Sequence, residues 1–393
     1  MKICMLGFTH FEFDGRLHRY ALSLIERGDT VDMIGIGDPG EPQVATFKGV
    51  RLYNIGSRDF KESRPSSYLK NYLVFFLKSF VKISTLHVRH RYDVIHYHNI
   101  PDFGIFCTLV PKLMGAKIIL DIHDLVPEFY MRKFHVHPRH PVIRTLIAVE
   151  KASACYADHV ITVTELWRQR LAGRSVPLDK CTVILNVPLR SVFKPSPSVR
   201  PRSSGILLSY HGNLAEPTGV DLLIRAVERL KPDFPGIRLQ IIGGGRDADI
   251  LRDYVRSRHL GDWVRFIPTT PIEELPSLVY PAALCVDPKR DGVYAGETLS
   301  VKVMEYLGLG KAALVSRTCA ASLYFDETVV HFFNPGDVDD LALQIRTLLL
   351  NPRRIRQLEK NSSRFFAEHD WEGYRDKYFG ILGRLAGRGR EAP

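Results

Sequence analysis

Short apolar runs alternate with stretches of helical spacing along almost the whole chain. Residues 2–8 read as a buried strand. After an irregular turn, residues 17–27 repeat with the period of an amphipathic helix until Gly28 stops it, and residues 31–36 form the next strand. That order is a βαβ unit, which builds a parallel sheet and carries its ligand-binding loops at the strand ends. Further strands are predicted at 92–96 and 117–122, then a helix, a strand at 159–163, a second helix and a strand at 181–185. Between the first and second groups, Tyr68 and Arg91 bound a long helical stretch.

The rhythm restarts after a polar stretch containing Pro188, Pro195, Pro197 and Pro201. Strands at 205–210, 239–242, 263–267 and 283–286 are separated by helical segments, and residues 370–385 form a last helix. The expected fold class is therefore α/β, with two Rossmann-like doubly wound domains: residues 1–193, a linker at 194–204, residues 205–368, and a closing segment at 369–393 ending in a Gly-Arg tail. The Gly35, Gly37 and Gly40 spacing mimics a dinucleotide fingerprint. Pro39 lies inside it, however, and residues 43–55 read as extended chain where the fingerprint needs a helix, so the match is accidental.

The 393 residues suffice for two domains, and 45% apolar with 25% charged residues describes a globular chain. No signal peptide is read at the start, and no apolar run reaches the length of a membrane span. Six widely spaced cysteines suggest neither a zinc knuckle nor a disulfide framework, which suits a reducing cytoplasm. The net charge of +11 is uneven: residues 1–200 hold 28 Lys/Arg against 18 Asp/Glu, and the remainder 26 against 25. The basic first half is expected to meet something anionic. Within the long helix, Lys70, Lys78, Lys82 and Arg89 fall within a third of the circumference, opposite Tyr72, Phe75, Phe76, Phe80 and Ile83. Such a helix can lie on an anionic membrane surface; an ordinary core-packed surface helix has the same pattern.

Candidate chemistry concentrates in residues 291–316, DGVYAGETLSVKVMEYLGLGKAALVS. Glu297 ends a glycine-containing loop, Ser300 is placed to cap a short helix, Lys302 lies in its first turn and Glu305 one turn later, and Gly308 with Gly310 stops it. A helix N-terminus attracts anions and repels a lysine, so Lys302 makes sense if an anion visits. An i,i+3 pair with Glu305 is the structural alternative. Two acceptor-only carboxylates beside an anion site suit a phosphate joined to sugars. In the first half, Asp14-Gly15-Arg16 stands at a helix mouth, where Arg16 either reaches a phosphate or is a surface arginine. Two strands end in polar clusters, His98-Asn99 with Pro101-Asp102, and His123-Asp124 with Pro127-Glu128. His135, His137 and His140 lack a nearby carboxylate or thiolate in register, and the D-x-D pairs Asp247/Asp249 and Asp337/Asp339 sit at helix starts as caps; no metal site is expected.

The E-x7-E of Glu297 and Glu305, followed by Gly-Lys and an apolar strand, resembles the signature of the family 4 retaining glycosyltransferases of GT-B fold. Lys302 three residues before Glu305 resembles one branch of that family, with Ser300 where the branch usually has proline. The run ILDIHDLVPEFY and the E-x7-A-D-x-V-I-T-V beginning at Glu150 resemble segments of the same branch. The resemblance implies two lobes facing a cleft, a closing helix in 369–393 that crosses back to the first domain, and no metal or other cofactor. It implies that Glu305 holds ribose hydroxyls, Lys302 the diphosphate, Glu297 the donor sugar, and His123 with Asp124 the sugar and acceptor side, where His98, Asn99 and Glu128 also fall. It puts Gly243, Gly244 and Gly245 near the nucleobase and Lys289 beside the diphosphate. Gly212 belongs to the family's phosphate loop, but Asn213 and Thr218 stand where the family often has arginine and lysine, which shifts the phosphate grip to Lys302 and Arg16.

The function expected is a retaining glycosyltransferase moving a sugar from a UDP-, GDP- or ADP-sugar to a hydroxyl of a glycan, lipid-linked or other acceptor, cytoplasmic and peripheral on the membrane's inner face. A GT-B epimerase or hydrolase, and a non-catalytic nucleotide-sugar or RNA binder, are the rival readings. The lack of aromatics interleaved on exposed basic loops counts against nucleic acid.

Overall fold

The computed structural model describes residues 1–38, 40–57, 65–194, 205–292 and 295–387. The proline-rich part of the expected linker (195–204), the end of the Gly-Arg tail and Pro39 lie outside them. The chain divides into two compact units, Met1–Leu185 with Tyr374–Pro393, and Asn186–Gly373.

The first unit comprises β1 (Lys2–Gly7), α1 (Gly15–Glu26), β2 (Thr30–Gly35), β3 (Val44–Phe47), β4 (Val50–Asn54), α2 (Pro65–His90), β5 (Val94–His98), α3 (Leu109–Leu113), β6 (Lys117–Ile122), α4 (Val126–Phe134), α5 (Pro141–Tyr156), β7 (His159–Thr162), α6 (Glu165–Ala172) and β8 (Cys181–Val183). They form one sheet in the order β3-β4-β2-β1-β5-β6-β7-β8, parallel except where β3 runs antiparallel to β4. Covered on both faces, its central strands are continuous apolar runs, with Ile3, Met5, Val94, Ile95, Ile118 and Ile119 fully buried or nearly so. The order reverses between β1 and β5, where Gly7 pairs with His98, and His98 in turn with Asp121 of β6. A sheet of this type opens a ligand crevice at such a reversal.

The second unit holds β9 (Ile206–His211), α7 (Val220–Leu230), β10 (Ile237–Ile242), α8 (Ala248–Ser257), β11 (Val264–Ile267), α9 (Leu275–Val279), β12 (Leu284–Asp287), α10 (Val301–Gly308), β13 (Ala313–Ser316), α11 (Cys319–Tyr324), β14 (His331–Phe333), α12 (Val338–Leu349) and α13 (Pro352–Glu368). Its six strands run parallel in the order β11-β10-β9-β12-β13-β14, reversing between β9 and β12. The faces of α7 and α12 that carry Leu222, Leu223, Val227, Leu341 and Ile345 close its core.

The boundary between the units differs from that read in the sequence. Residues 186–194 belong to the second unit, because Phe193 is fully buried against Gly308 and Phe366. The last helix, α14 (Trp371–Leu385), starts in the second unit and from Tyr374 onward belongs to the first. The extended stretch 43–55 is the β3–β4 hairpin, turned at Lys48 and Gly49, both with positive φ. All six cysteines are free.

Candidate active site

In the second unit the loops after β9 and β10 lie against each other. Gly212 donates to the Ile242 carbonyl and Leu214 to that of Gly244, so ladder-like pairing continues past the strand ends. A Cβ on Gly243 would stand 2.2 Å from the Gly212 oxygen, and one on Gly212 3.0 Å from Cδ of Lys302; both have φ in the left-handed half of the map. Only glycine fits this approach. The stem of Lys302 therefore lies on the Gly212 backbone, with Nζ 3.4 Å from Asp287 Oδ1 at the end of β12 and 5.5 Å from the Tyr210 ring centre. Burial opposes the ammonium charge, but Tyr210, Asp287 and Glu305 outweigh it and raise the Lys302 pKa. The lysine is charged at any physiological pH.

One turn on, Glu305 Oε2 lies 2.5 Å from His211 Nε2 at the end of β9. His211, Gly212, Asn213, Gly243, Gly244, Thr269 and Thr270 line a pocket of about 330 Å³ beside that pair. Glu297 is half-buried in the loop before α10. Ser300 occupies the N-cap position of α10, yet its hydroxyl makes no cap bond and is buried without a hydrogen-bond partner, contrary to the expected capping. The helix mouth thus keeps its donors for something else. Lys289 is tied to Thr298 through both the carbonyl, at 2.7 Å, and the hydroxyl. Its ammonium braces the Glu297 loop.

In the first unit, Asp14 caps α1 by accepting from the backbone N–H of Arg16 and Leu17, and its other oxygen meets the Arg16 guanidinium at 3.0 Å. Arg16 is turned inward, one-tenth exposed, with Nε buried and unbonded. With His98, Asn99, His123 and Asp124 these residues line a pocket of about 260 Å³ at the ends of β1, β5 and β6. His98 Nδ1 is 2.9 Å from Asp121 Oδ2. Burial and the Arg16 charge drive the His123 pKa down to about 3, so the ring is neutral at physiological pH and its buried Nδ1 has no hydrogen-bond partner. A neutral imidazole next to a carboxylate can hydrogen-bond a substrate hydroxyl.

Two expected acceptor-side residues also hold the fold together, Asn99 while lining the polar pocket. Asn99 accepts from the backbone N–H of His123 and Asp124 and donates to Asp102 and to the Asp124 carbonyl, so its amide clamps the β6 loop. Glu128 is buried and accepts two hydrogen bonds from the Arg174 guanidinium, which also donates to Glu150. Both carboxylates are needed to hold that guanidinium, and neither lines the polar pocket.

Asp337 caps α12 through Asp340 N–H, whereas Asp247 makes no cap bond and instead accepts from Glu216 N–H across the loop. His137 and His140 accept backbone N–H bonds in the turn before α5. Among the described residues, one cluster has metal-compatible spacing, His96, His98 and Asp121. His96 Nδ1 bonds Tyr378 and His98 Nδ1 bonds Asp121, and the Arg16 charge opposes a second cation there. Sequence reading missed His211 and Asp287, whose partners lie 94 and 15 residues on; their position at strand ends was the available signal.

The family described as "Glycosyl transferase 4-like domain" matches residues 15–186, and that described as "Glycosyl transferases group 1" matches residues 196–365. The chain is thus a glycosyltransferase of the GT-B fold, with a glycosyl transferase 4-like domain followed by a group 1 domain. It is 23% identical over 358 residues to D-inositol 3-phosphate glycosyltransferase of Thermobispora bispora, covering 84% of this chain and 79% of that one. Its fold matches sucrose-phosphate synthase of Thermosynechococcus elongatus with a TM-score of 0.80 at 18% identity, over 98% of this chain and all of that one. It also matches HepE of Anabaena in complex with UDP, with a TM-score of 0.72 at 16% identity and the same coverage. No described helix is long and apolar enough to cross a membrane.

Proposed function

We propose that this glycosyltransferase takes a sugar from a nucleotide diphosphate and passes it, with retention at the anomeric carbon, to an acceptor hydroxyl, without a metal ion. The observation that carries the reading is the seating of Lys302: a permanently charged ammonium in the first turn of α10, laid on the Gly212 backbone, one turn from the Glu305–His211 pair. Lys302 and the open N–H groups of α10 neutralise the diphosphate, Glu305 takes the ribose hydroxyls, and the glycine loops with Thr269 and Thr270 admit the base. Glu297 holds the donor sugar.

The donor's C1–O(phosphate) bond breaks as C1 bonds to the acceptor oxygen on the same face. The acceptor's proton passes to the departing phosphate oxygen, so no base with a perturbed pKa is required. The work is electrostatic: a fixed positive charge where the leaving diphosphate gains negative charge. In the first unit, neutral His123 with Asp124 orients hydroxyls, and Arg16 holds Asp14 in place and offers Nε toward an anionic acceptor group.

UDP is the first nucleotide to test, since a protein of this fold holds it, with GDP and ADP alongside. A ligand at 100 times its Kd adds about 2.7 kcal/mol of stability, readily seen as a thermal shift. Lys302→Ala should erase the shift or weaken it strongly and lower kcat by about 10²–10³-fold, with Lys302→Met as the packing control. Unchanged transfer by both variants overturns the reading. The outward face of α2 carries Leu69, Leu73, Leu77 and Val81 at 46–66% exposure beside Lys70 and Lys78, so we assign it to an anionic membrane surface on the cytoplasmic side, measurable by flotation with acidic vesicles.

A further inference from the structure

Next to the polar pocket of the first unit lies a second cavity of about 310 Å³, and its walls differ in kind. Leu69 of α2, Phe129 and Phe134 of α4, and Val142, Leu146 and Val149 of α5 supply an almost wholly apolar lining. Four residues, Tyr68, Tyr72, Ile100 and Phe129, line both cavities, so the two adjoin across those side chains. One half offers Asp14, Arg16, His123 and Asp124; the other offers hydrocarbon.

We infer that the apolar cavity takes the aliphatic chain of an amphiphilic acceptor whose hydroxyl-bearing head occupies the polar half. The inference rests on the glycosyltransferase reading only for the word acceptor.

A sugar or glycan head has no use for such walls. Each of its hydroxyls would lose water without finding a partner, whereas a methylene gains from the transfer. The charge nearby favours the same occupant. Lys133, which also lines the apolar cavity, donates to the Tyr68 hydroxyl at 2.7 Å and lies 4.1 Å from that ring's centre, so a cation stands beside a ring that lines both cavities and suits an anionic headgroup. Leu69 is also half-exposed and begins the stripe that continues through Leu73, Leu77 and Val81 along the outside of α2. A chain longer than the cavity therefore leaves it over apolar surface.

The test uses the full-length protein and n-alkanols from hexanol to decanol, the smallest molecules with one hydroxyl and a chain, followed by isothermal titration. Affinity should rise roughly fourfold per added methylene until the cavity is full. Leu146→Trp and, as an independent filler, Val142→Phe should flatten that series, while the pair Leu73→Glu and Leu77→Glu on the α2 stripe should leave it intact for the shorter chains. A flat series in the unaltered protein, or a series lost in the stripe variant and kept in both filled variants, overturns the inference. Binding of UDP, GDP and ADP in the same samples reads the second unit: alkanol binding without binding of any of the three sinks the proposed donor site and leaves the cavity assignment standing. The reverse result does the opposite.

Discussion

Asp102 and Glu128 are both buried carboxylates of the first unit, and their partners decide what each costs. Burial, with repulsion from Glu150, pushes the Asp102 pKa up to about 7 against the pull of the Asn99 amide. A carboxyl raised in the folded state contributes stability that is complete below the unfolded value of 3.8 and lost as pH rises through the folded one. Asp102→Asn, which keeps the acceptor for Asn99, should therefore match the parent near pH 4 and exceed it at pH 8 by up to about 4 kcal/mol in denaturant unfolding. Glu128 is the contrary case, held by the Arg174 fork. Glu128→Ala strands that guanidinium beside Glu150 and should cost about 3–5 kcal/mol, with acceptor KM in the surviving folded protein unchanged. A large rise in KM at unchanged stability would return Glu128 to the acceptor site. These roles were not legible in the sequence. The two strand-end clusters display Asn99 and Glu128 in the same way as His98 and Asp124, and only the fold brings Arg174, 46 residues on, to Glu128.

The elements were far more legible, because a strand buried on both faces must be apolar throughout and a surface helix must show a 3.6-residue period. The two βαβ rhythms, the helix carrying Lys302 and Glu305, and the strand ends bearing His98 and His123 all follow from that. The β3–β4 hairpin did not, since its strands are short and partly exposed and so alternate weakly. Nor did the proximity of the two glycine loops, which is set by sheet order: β9 and β10 are neighbours, and their loops pair on beyond the ends. The glycines carry a consequence at this scale. Gly243→Ala must push its methyl into the Gly212 carbonyl at a φ of +136°, costing about 1–3 kcal/mol. It should also displace the bed on which Lys302 rests, so nucleotide affinity should fall more than stability explains. Equal thermal shifts with UDP in parent and variant would show that the bed is dispensable.

At the scale of the whole chain, sequence position and structural membership part company at both ends of the second unit. Residues 186–194 follow the first sheet without a break yet bury Phe193 against α10 and α13, and residues from Tyr374 onward follow α13 yet bury Tyr378 under β5. There its hydroxyl meets His96 Nδ1 at 3.0 Å and its ring lies 4.7 Å from that of Tyr20. A linker-based boundary cannot foresee the first exchange, because it depends on which apolar side chain finds a hole and not on where prolines accumulate. The first unit is consequently stabilised by residues beyond its own continuous N-terminal segment. Truncating either ring leaves a cavity worth about 3–5 kcal/mol. Tyr378→Ala should speed amide exchange in β1, β5 and β6, some 280 residues upstream, and leave β9 to β13 protected. Phe193→Ala should do the converse, loosening α10 and α13 while the first sheet holds. If Tyr378→Ala instead loosens the second unit, the terminal helix belongs with α13, and the His96 contact is incidental to what keeps the first sheet folded.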